Sequence, residues 1–340
     1  MSSHWDIIHI DLSEGAKRLA AAPGGVLVVL WWREIPLGQL KIEAARLPMS
    51  AEQMAELALE AIAPALDAYV AGPEMGLRGR IHSAPRSTEA QADPARLLRA
   101  AVSLFEHLPT ARQAAAKALS VSLVVPTCNR PRRLAACLGS LGELSHAPLE
   151  ILVVDNAPSS ATREVVESFP TVRYIAEPRR GSSAARNTGV EHSRGQLVAF
   201  VDDDETVHPD WLSWLVASFR DPSVALVTGL VLPSELTTEA QQIFEQRYGF
   251  GRGYVARTFD RALYRRTRHF GVPVWEIGGS GNMAIRRDVF LALGGFDERL
   301  GAGRAGGCEE LELFYRVLAA DLSCHYEPRA VTEHQHRRDL

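Results

Sequence analysis

From Val121 onward, short runs of Val, Leu and Ile alternate with stretches of helical period. Val121–Val125, Leu149–Val154, Val172–Ile175, Leu197–Val201 and Val224–Val231 are nearly continuous apolar runs. Such runs fit strands buried on both faces of a parallel sheet. Amphipathic segments at about 131–144, 161–168, 183–193 and 210–219 lie between them. The alternation predicts right-handed βαβ units and an α/β domain of the nucleotide-binding type. The first 70 residues are organised differently. Val26–Trp32 and Gln39–Ala44 read as a hairpin-like pair joined through Arg-Glu-Ile-Pro-Leu-Gly. A helix follows from Ala51, announced by the capping-box pair Ser50 and Gln53. Residues 71–98 are rich in Gly, Pro, Arg and Ser and read as a linker, and a helix at about 95–118 follows. The expected organisation is a small N-terminal α+β domain over 1–70, a linker and connecting helix over 71–118, and an α/β domain over 119–340.

Composition adds boundaries. A chain of 340 residues, 46% hydrophobic and 23% charged, is ordinary for a globular protein with a sizeable core. The net charge of −4 gives no global field toward nucleic acid, and no nucleic-acid partner is expected. Cys128, Cys137, Cys308 and Cys324 form no CxxC pair, which suits a reducing compartment. The N-terminus lacks a basic region followed by an apolar run, and Val26–Trp32 is far too short to span a membrane. The expectation is a cytoplasmic protein, with peripheral contact at the inner face of the membrane left open.

The chemistry concentrates at a few places. Leu197–Val201 runs straight into Asp202, Asp203, Asp204 and Glu205. Ligands of open α/β sheets bind at the carboxyl ends of strands, and neighbouring carboxylates repel unless a cation joins them. Hard oxygen ligands suit Mg²⁺ or Mn²⁺ shared with substrate phosphates; the alternative is a solvated acidic turn. Asp155 ends another strand and has either a base or ribose to bind or an Asx turn to close. In Arg179-Arg-Gly-Ser-Ser-Ala-Ala-Arg186, a helix capped by Ser182 or Ser183 offers an N-terminus for phosphate, with Arg186 one turn in. Glu309 and Glu310 open a helix beside glycines, as a general base or simply as acids favouring the helix dipole. His334 and His336 alternate, as metal or phosphate ligands or as an inert tail. Seven arginines interleaved with aromatics over 247–268, Arg265 and Arg266 among them, suit nucleic acid, an anionic lipid or a phosphorylated substrate, or a solvated helical face, and the acidic net charge argues against the first. Gly301, Gly303 and Gly306 spell GxGxxG, but no strand precedes them and acids follow, so a dinucleotide reading fails.

Taken in order, these segments resemble the family 2 glycosyltransferases, inverting nucleotide-sugar enzymes of the GT-A fold. The resemblance covers about residues 119–338 and its ending is similar to bacterial polysaccharide or rhamnosyl-type members. Pro126, Thr127, Asn129 and Arg130 match the opening loop, Asp155 the base-contacting acid, and Gly181–Gly189 with Arg186 the phosphate-side helix. Asp202–Asp204 match the metal-binding DxD motif, 278–287 the acceptor-side loop, and Glu309-Glu310 the catalytic region. The family usually has Asp at the position of Glu310. The resemblance implies a GT-A, Rossmann-like, mostly parallel sheet and transfer of a hexosyl or deoxyhexosyl group to an acceptor hydroxyl in glycan or glycolipid synthesis. The donor would be a UDP-, dTDP- or GDP-sugar and the acceptor a glycan or a lipid-linked sugar. Asp202 and Asp203 would face the donor, and Asp202 and Asp204, with His334 or His336, would hold the metal. Gly279 and Asn282 would lie on the acceptor side with Arg265 and Arg266, and Glu310 or Glu309 would be the base. The alternative is a non-catalytic nucleotide-sugar-binding subunit or sensor, which Glu in place of Asp at 310 allows.

Overall fold

A computed structural model describes residues 4–71, 93–115 and 119–339. The N-terminal unit is a three-stranded sheet of β1 (Asp6–Asp11), β2 (Val26–Trp32) and β3 (Ile35–Ile42). β1 runs parallel to β2, and β2 pairs antiparallel with β3. β2 is wholly apolar because both its faces are covered. Val28, Leu30 and Trp32 pack under the Ala51–Ala71 helix, while Val29 and Trp31 enter the core of the larger domain. The capping box forms as expected, with Ser50 and Gln53 exchanging side-chain-to-backbone bonds of 3.0 and 3.2 Å.

The expected helix over 95–118 is broken. Its described part is a helix over Pro94–Val102, a 3₁₀ turn to His107 and a short helix at Ala111–Ala114. Pro109 cannot continue the helical hydrogen bonds. Leu98, Val102 and Phe105 are buried in the N-terminal core. Most of the linker reading falls at 72–92, outside the described residues.

The larger sheet contains β4 (Val121–Thr127), β5 (Glu150–Asp155), β6 (Val172–Ala176), β7 (Leu197–Val201), β8 (Glu205–Val207), β9 (Val224–Pro233), β10 (Arg257–Phe259), β11 (Asn282–Arg286) and β12 (Ser323–His334). Their order is β10-β12-β9-β11-β7-β4-β5-β6, with β8 added to β12. β6, β5, β4 and β7 form the parallel block expected from the alternation. Beyond it, β11 wedges antiparallel between β7 and β9, and β12 runs parallel to β9. Period-two alternation sorts the side chains. Val124, Phe200 and Met283 face a layer with Phe290, Phe296 and Phe314. Leu123, Val125 and Val201 face one with Leu134, Trp211 and Trp214. This is the mixed, mostly codirectional α/β sheet of a GT-A fold beside a small α+β unit.

The connection from β7 to β8 builds the site. β7 stops at Val201, the chain turns through Asp202–Asp204, and β8 then pairs antiparallel with the end of β12, Glu205 opposite His334. The acids therefore sit at the carboxyl end of a central strand, beside the histidines. The segment read as a tail is a strand, interrupted by a bulge between Glu327 and Val331 that accommodates Pro328.

Candidate active site at the carboxyl end of the sheet

The four acids have four different environments. Asp203 points inward, takes a 2.7 Å hydrogen bond from Thr127 Oγ1 and a 3.0 Å one from Arg130, and burial pushes its pKa up to about 6. Asp204 is held by Arg130 at 2.7 Å and Arg133 at 3.1 Å. Asp202 pairs with Arg186 at 2.5 Å while about a third of its side chain, 32%, stays open to solvent. Glu205 is buried, and desolvation followed by the charge of Asp202 raises its pKa well above the usual carboxylate range. Its Oε2 has no hydrogen-bond partner among the described residues. Gly281 allows this crowding, since a Cβ there would lie 2.3 Å from Glu205 Oε1 and 3.0 Å from Asp202 Oδ2.

Arg186 joins this turn to the opposite wall. The Ser182–His192 helix lies close on β4 because it presents small residues; a Cβ on Gly189 would come within 2.3 Å of Val124. One turn into that helix, the buried Arg186 guanidinium reaches Asp202 through Nη2 and Glu309 Oε1 through Nη1 at 3.1 Å. Ser182 Oγ donates to the same Glu309 oxygen at 3.1 Å. Cys308, at φ 69°, turns the chain into the Glu309–Ala319 helix. The two glutamates at its start therefore differ. Glu309 is buried and engaged by two donors, whereas burial and the neighbouring Glu309 charge push Glu310 up to about 7.

The structure corrects several expectations. Neither serine caps the Ser182 helix: Gly181 is the N-cap, Ser183 Oγ donates to the Leu300 carbonyl, and Ser182 N–H is already taken by the Ala302 carbonyl. The loop bearing Gly301 covers the helix N-terminus that was expected to receive phosphate. Asn282 is no acceptor ligand. It is fully buried, accepts from Trp211 Nε1 at 2.8 Å and donates to the Leu230 and Ala330 carbonyls, stitching β11, β9 and β12 together. His336 is no metal ligand either, because both ring nitrogens are committed, one to His334 and one to Glu245. Asp155 is fully buried and accepts from Ala157 N, Ser159 N and the Tyr174 hydroxyl, which is the Asx-turn arrangement.

Other expected residues are placed as follows. Pro126 is inside β4, paired with Val154, and Asn129 is exposed at φ 55°. Gly279 faces open space. Within the basic stretch, Arg252 and Arg257 bind backbone carbonyls and Arg261 pairs with Asp321, so these three are structural. Arg265 and Arg266 are exposed and make no ion pair among the described residues. Arg133 and Glu245 were not foreseen, and Glu205 and Gly281, visible within the acid run and the 278–287 segment, were given no role of their own. Arg133 carried a signal, lying three residues after Arg130 and hence on the same helical face.

The acid turn offers carboxylate and imidazole groups of the kind a divalent cation takes. Asp204 Oδ1 and His334 Nε2 face each other at 3.6 Å with no hydrogen bond between them. Two ligands at right angles on a hard cation, each about 2.1 Å from it, lie roughly 3 Å apart. The described residues contain no ready-made cage of three His, Cys, Asp or Glu groups. A cation bound there would need water or substrate phosphates to complete its shell. A separate cavity of about 410 Å³ lies between the N-terminal sheet and β8, lined by His9, Trp31, Arg33, Thr206, His208 and Glu333. It contains none of the acids at 202–205 and is not where the chemistry described above is assembled.

Comparison with known proteins agrees with this architecture. The sequence pattern of Glycosyl transferase family 2 matches residues 122–294. Glycosyltransferase AglE of Haloferax volcanii is 29% identical over 190 residues, 54% of this chain and 58% of that protein. The succinoglycan biosynthesis protein ExoM of Rhizobium meliloti is 29% identical over 225 residues, 62% of this chain and 65% of that one. The chain thus spans about 58% and 65% of the length of these two relatives. The crystal structure of GalNAc-T7 with UDP, GalNAc and Mn²⁺ shares the fold, with a TM-score of 0.50 at 19% identity over 66% of this chain and 45% of that one.

The Arg186 bridge yields a stability prediction. Removing one member of a buried ion pair strands the other charges and costs about 3–5 kcal/mol. Arg186→Met should lower the unfolding free energy, measured by urea denaturation at pH 7, by about that amount. A loss of about 1 kcal/mol or less, as for an exposed pair, would show that the bridge is not integral to the fold.

Proposed function

The chain belongs to glycosyl transferase family 2, and we propose that it transfers a sugar from a nucleotide-diphosphate sugar to an acceptor hydroxyl with inversion of configuration. The observation that carries this reading is the Asp202–Arg186–Glu309 bridge. It sets an acid turn suited to a metal–diphosphate beside Glu310, a carboxyl group with a pKa near neutrality. In this reading the donor diphosphate lies over the turn, with Arg130 and Arg133 at hand to bind its oxygens. Bound Mg²⁺ or Mn²⁺, held by Asp202, Asp204 and His334, would offset the negative charge gathering on the leaving diphosphate. Glu310 accepts the acceptor hydroxyl proton as that oxygen forms its bond to the anomeric carbon. The bond to the diphosphate oxygen breaks on the opposite face, and the nucleotide diphosphate departs with the electron pair. Glu309, engaged by Arg186 and Ser182, positions Arg186 and keeps Glu310 basic by its charge.

The acceptor is proposed to be a glycan or lipid-linked sugar, approached along Gly279 and the stretch that follows β10. There Arg265 and Arg266 are exposed, Phe270 is 93% exposed and Trp275 56%. Aromatic and cationic side chains together suit the headgroup region of an anionic membrane. No described helix is long and apolar enough to cross a membrane, so the contact proposed is peripheral.

Three measurements test these roles. Asp204→Asn should abolish Mn²⁺-enhanced binding of nucleoside diphosphate with the fold intact; unchanged metal-dependent affinity removes the acid turn from the site. The transfer rate should rise as pH climbs through about 7, because the base works only when deprotonated. Glu310→Gln should keep donor affinity, lose on the order of a hundredfold or more in turnover and flatten that rise. Donor binding without turnover in the unaltered chain would favour the non-catalytic sensor instead. Finally, changing Arg265 and Arg266 to Ala with Phe270 and Trp275 to Ser should abolish co-sedimentation with phosphatidylglycerol vesicles and leave donor affinity unchanged. Absence of vesicle binding in the unaltered protein would refute the membrane contact.

A further inference from the structure

His334 and His336 are not equivalent. His336 is 2% exposed, and its Nε2 lies 3.1 Å from Glu245 Oε2. A carboxylate only accepts, so His336 carries its proton on Nε2. The other nitrogen of a neutral imidazole is then a bare lone pair. His336 Nδ1 lies 2.8 Å from His334 Nδ1, a separation that needs one proton between them. In the neutral form of His336, whose Nδ1 carries none, His334 supplies it as the Nδ1–H tautomer. Its Nε2 is consequently bare and directed at Asp204 Oδ1, 3.6 Å away. The spacing agrees. Had Nε2 carried the proton, it would face a carboxylate able to draw it to roughly 2.7–2.9 Å, the usual length of such a bond.

The surroundings hold both rings. Phe250 packs edge-on against His334 with centroids 5.0 Å apart, and Phe244 lies 4.7 Å from His336. Glu245 and Phe244 sit on the Glu239–Arg247 helix, which connects β9 to the basic stretch and supplies none of the acids at 202–205.

We propose that Glu245 and His336 form a tautomer relay that presents the bare Nε2 of His334 to the cation at the acid turn. This rests on the metal reading above. Glu245 and His336 are positioning residues that touch neither donor nor acceptor. Groups that hydrogen-bond the far nitrogen of a ligating histidine fix its tautomer in this way, and their loss typically costs about 10–100-fold in metal affinity.

The test separates the relay from the metal site. In metal-free protein labelled with ¹⁵N-histidine, two-bond proton–nitrogen couplings at pH 8 should show His334 as the Nδ1–H tautomer. Glu245→Leu should mix the tautomers and weaken Mn²⁺ binding, titrated by electron paramagnetic resonance, about 10–100-fold. Glu245→Gln, whose amide oxygen still accepts from His336, should restore both the tautomer and the affinity; this variant keeps the test valid if the leucine variant folds poorly. An Nε2–H tautomer in the unaltered protein overturns the relay, as does failure of rescue by Gln in a folded variant. If His334→Ala leaves Mn²⁺ affinity unchanged while the tautomer is Nδ1–H, the metal reading fails and removes the purpose of the relay.

Discussion

One buried guanidinium organises this site. Arg186 is taken almost wholly out of water, and a cation so placed is tolerated only where anions surround it. Asp202 and Glu309 meet that requirement from different elements, one at the end of β7 and one at the start of a helix more than a hundred residues later. The pairing locks the distance between the acid turn and Glu310. Its own seat depends on Gly189, which lets the helix carrying Arg186 approach β4, and on Gly301, where a Cβ would press on Ser182, Ser183 and Glu309. A buried ion pair often adds little net stability compared with an apolar filling of the same volume. What Arg186 adds is geometry: it couples two walls that no hydrogen-bonded ladder connects.

Charge balance follows the same logic. Asp203 and Asp204 share Arg130, Asp204 adds Arg133, and Asp202 has Arg186. Glu205, buried beside Asp202, forms no ion pair among the described residues, and desolvation followed by the Asp202 charge pushes its pKa well above the usual carboxylate range. The turn thus packs three consecutive aspartates against the sheet with an arginine partner for each. The arginines that screen the acids are also the groups with which an incoming diphosphate would exchange partners.

The parallel block was legible because Val121–Val125, Leu149–Val154 and Leu197–Val201 are largely apolar and have no competing helical period. β12 was not, because Glu327, Pro328 and Arg329 interrupt it, and the bulge that absorbs them is a tertiary solution. β11 was hidden for another reason: Asn282 reads as a polar loop residue, and only the fold supplies the indole and carbonyls that satisfy it. The acid turn, Arg186 and the glutamate pair were visible as chemistry in the sequence. Which glutamate is engaged, which histidine nitrogen is free and where Asp155 spends its oxygens depend on partners far away in sequence. Glu245 carried no signal, since an acid near the end of an amphipathic helix is ordinary.

The pairing of β12 with β9 and β8 has a consequence for how the molecule comes into being. β9 is synthesised long before β12, and until then one edge of a wholly buried strand lacks its partner. Unpaired edges of this kind are templates for association with other chains. Contacts of large sequence separation also form slowly, because loop closure precedes their reward. Until β12 docks, that edge of β9 stays open and the acid turn lacks His334 beside it. An interval in which this edge needs cover is built into the order in which the strands are made.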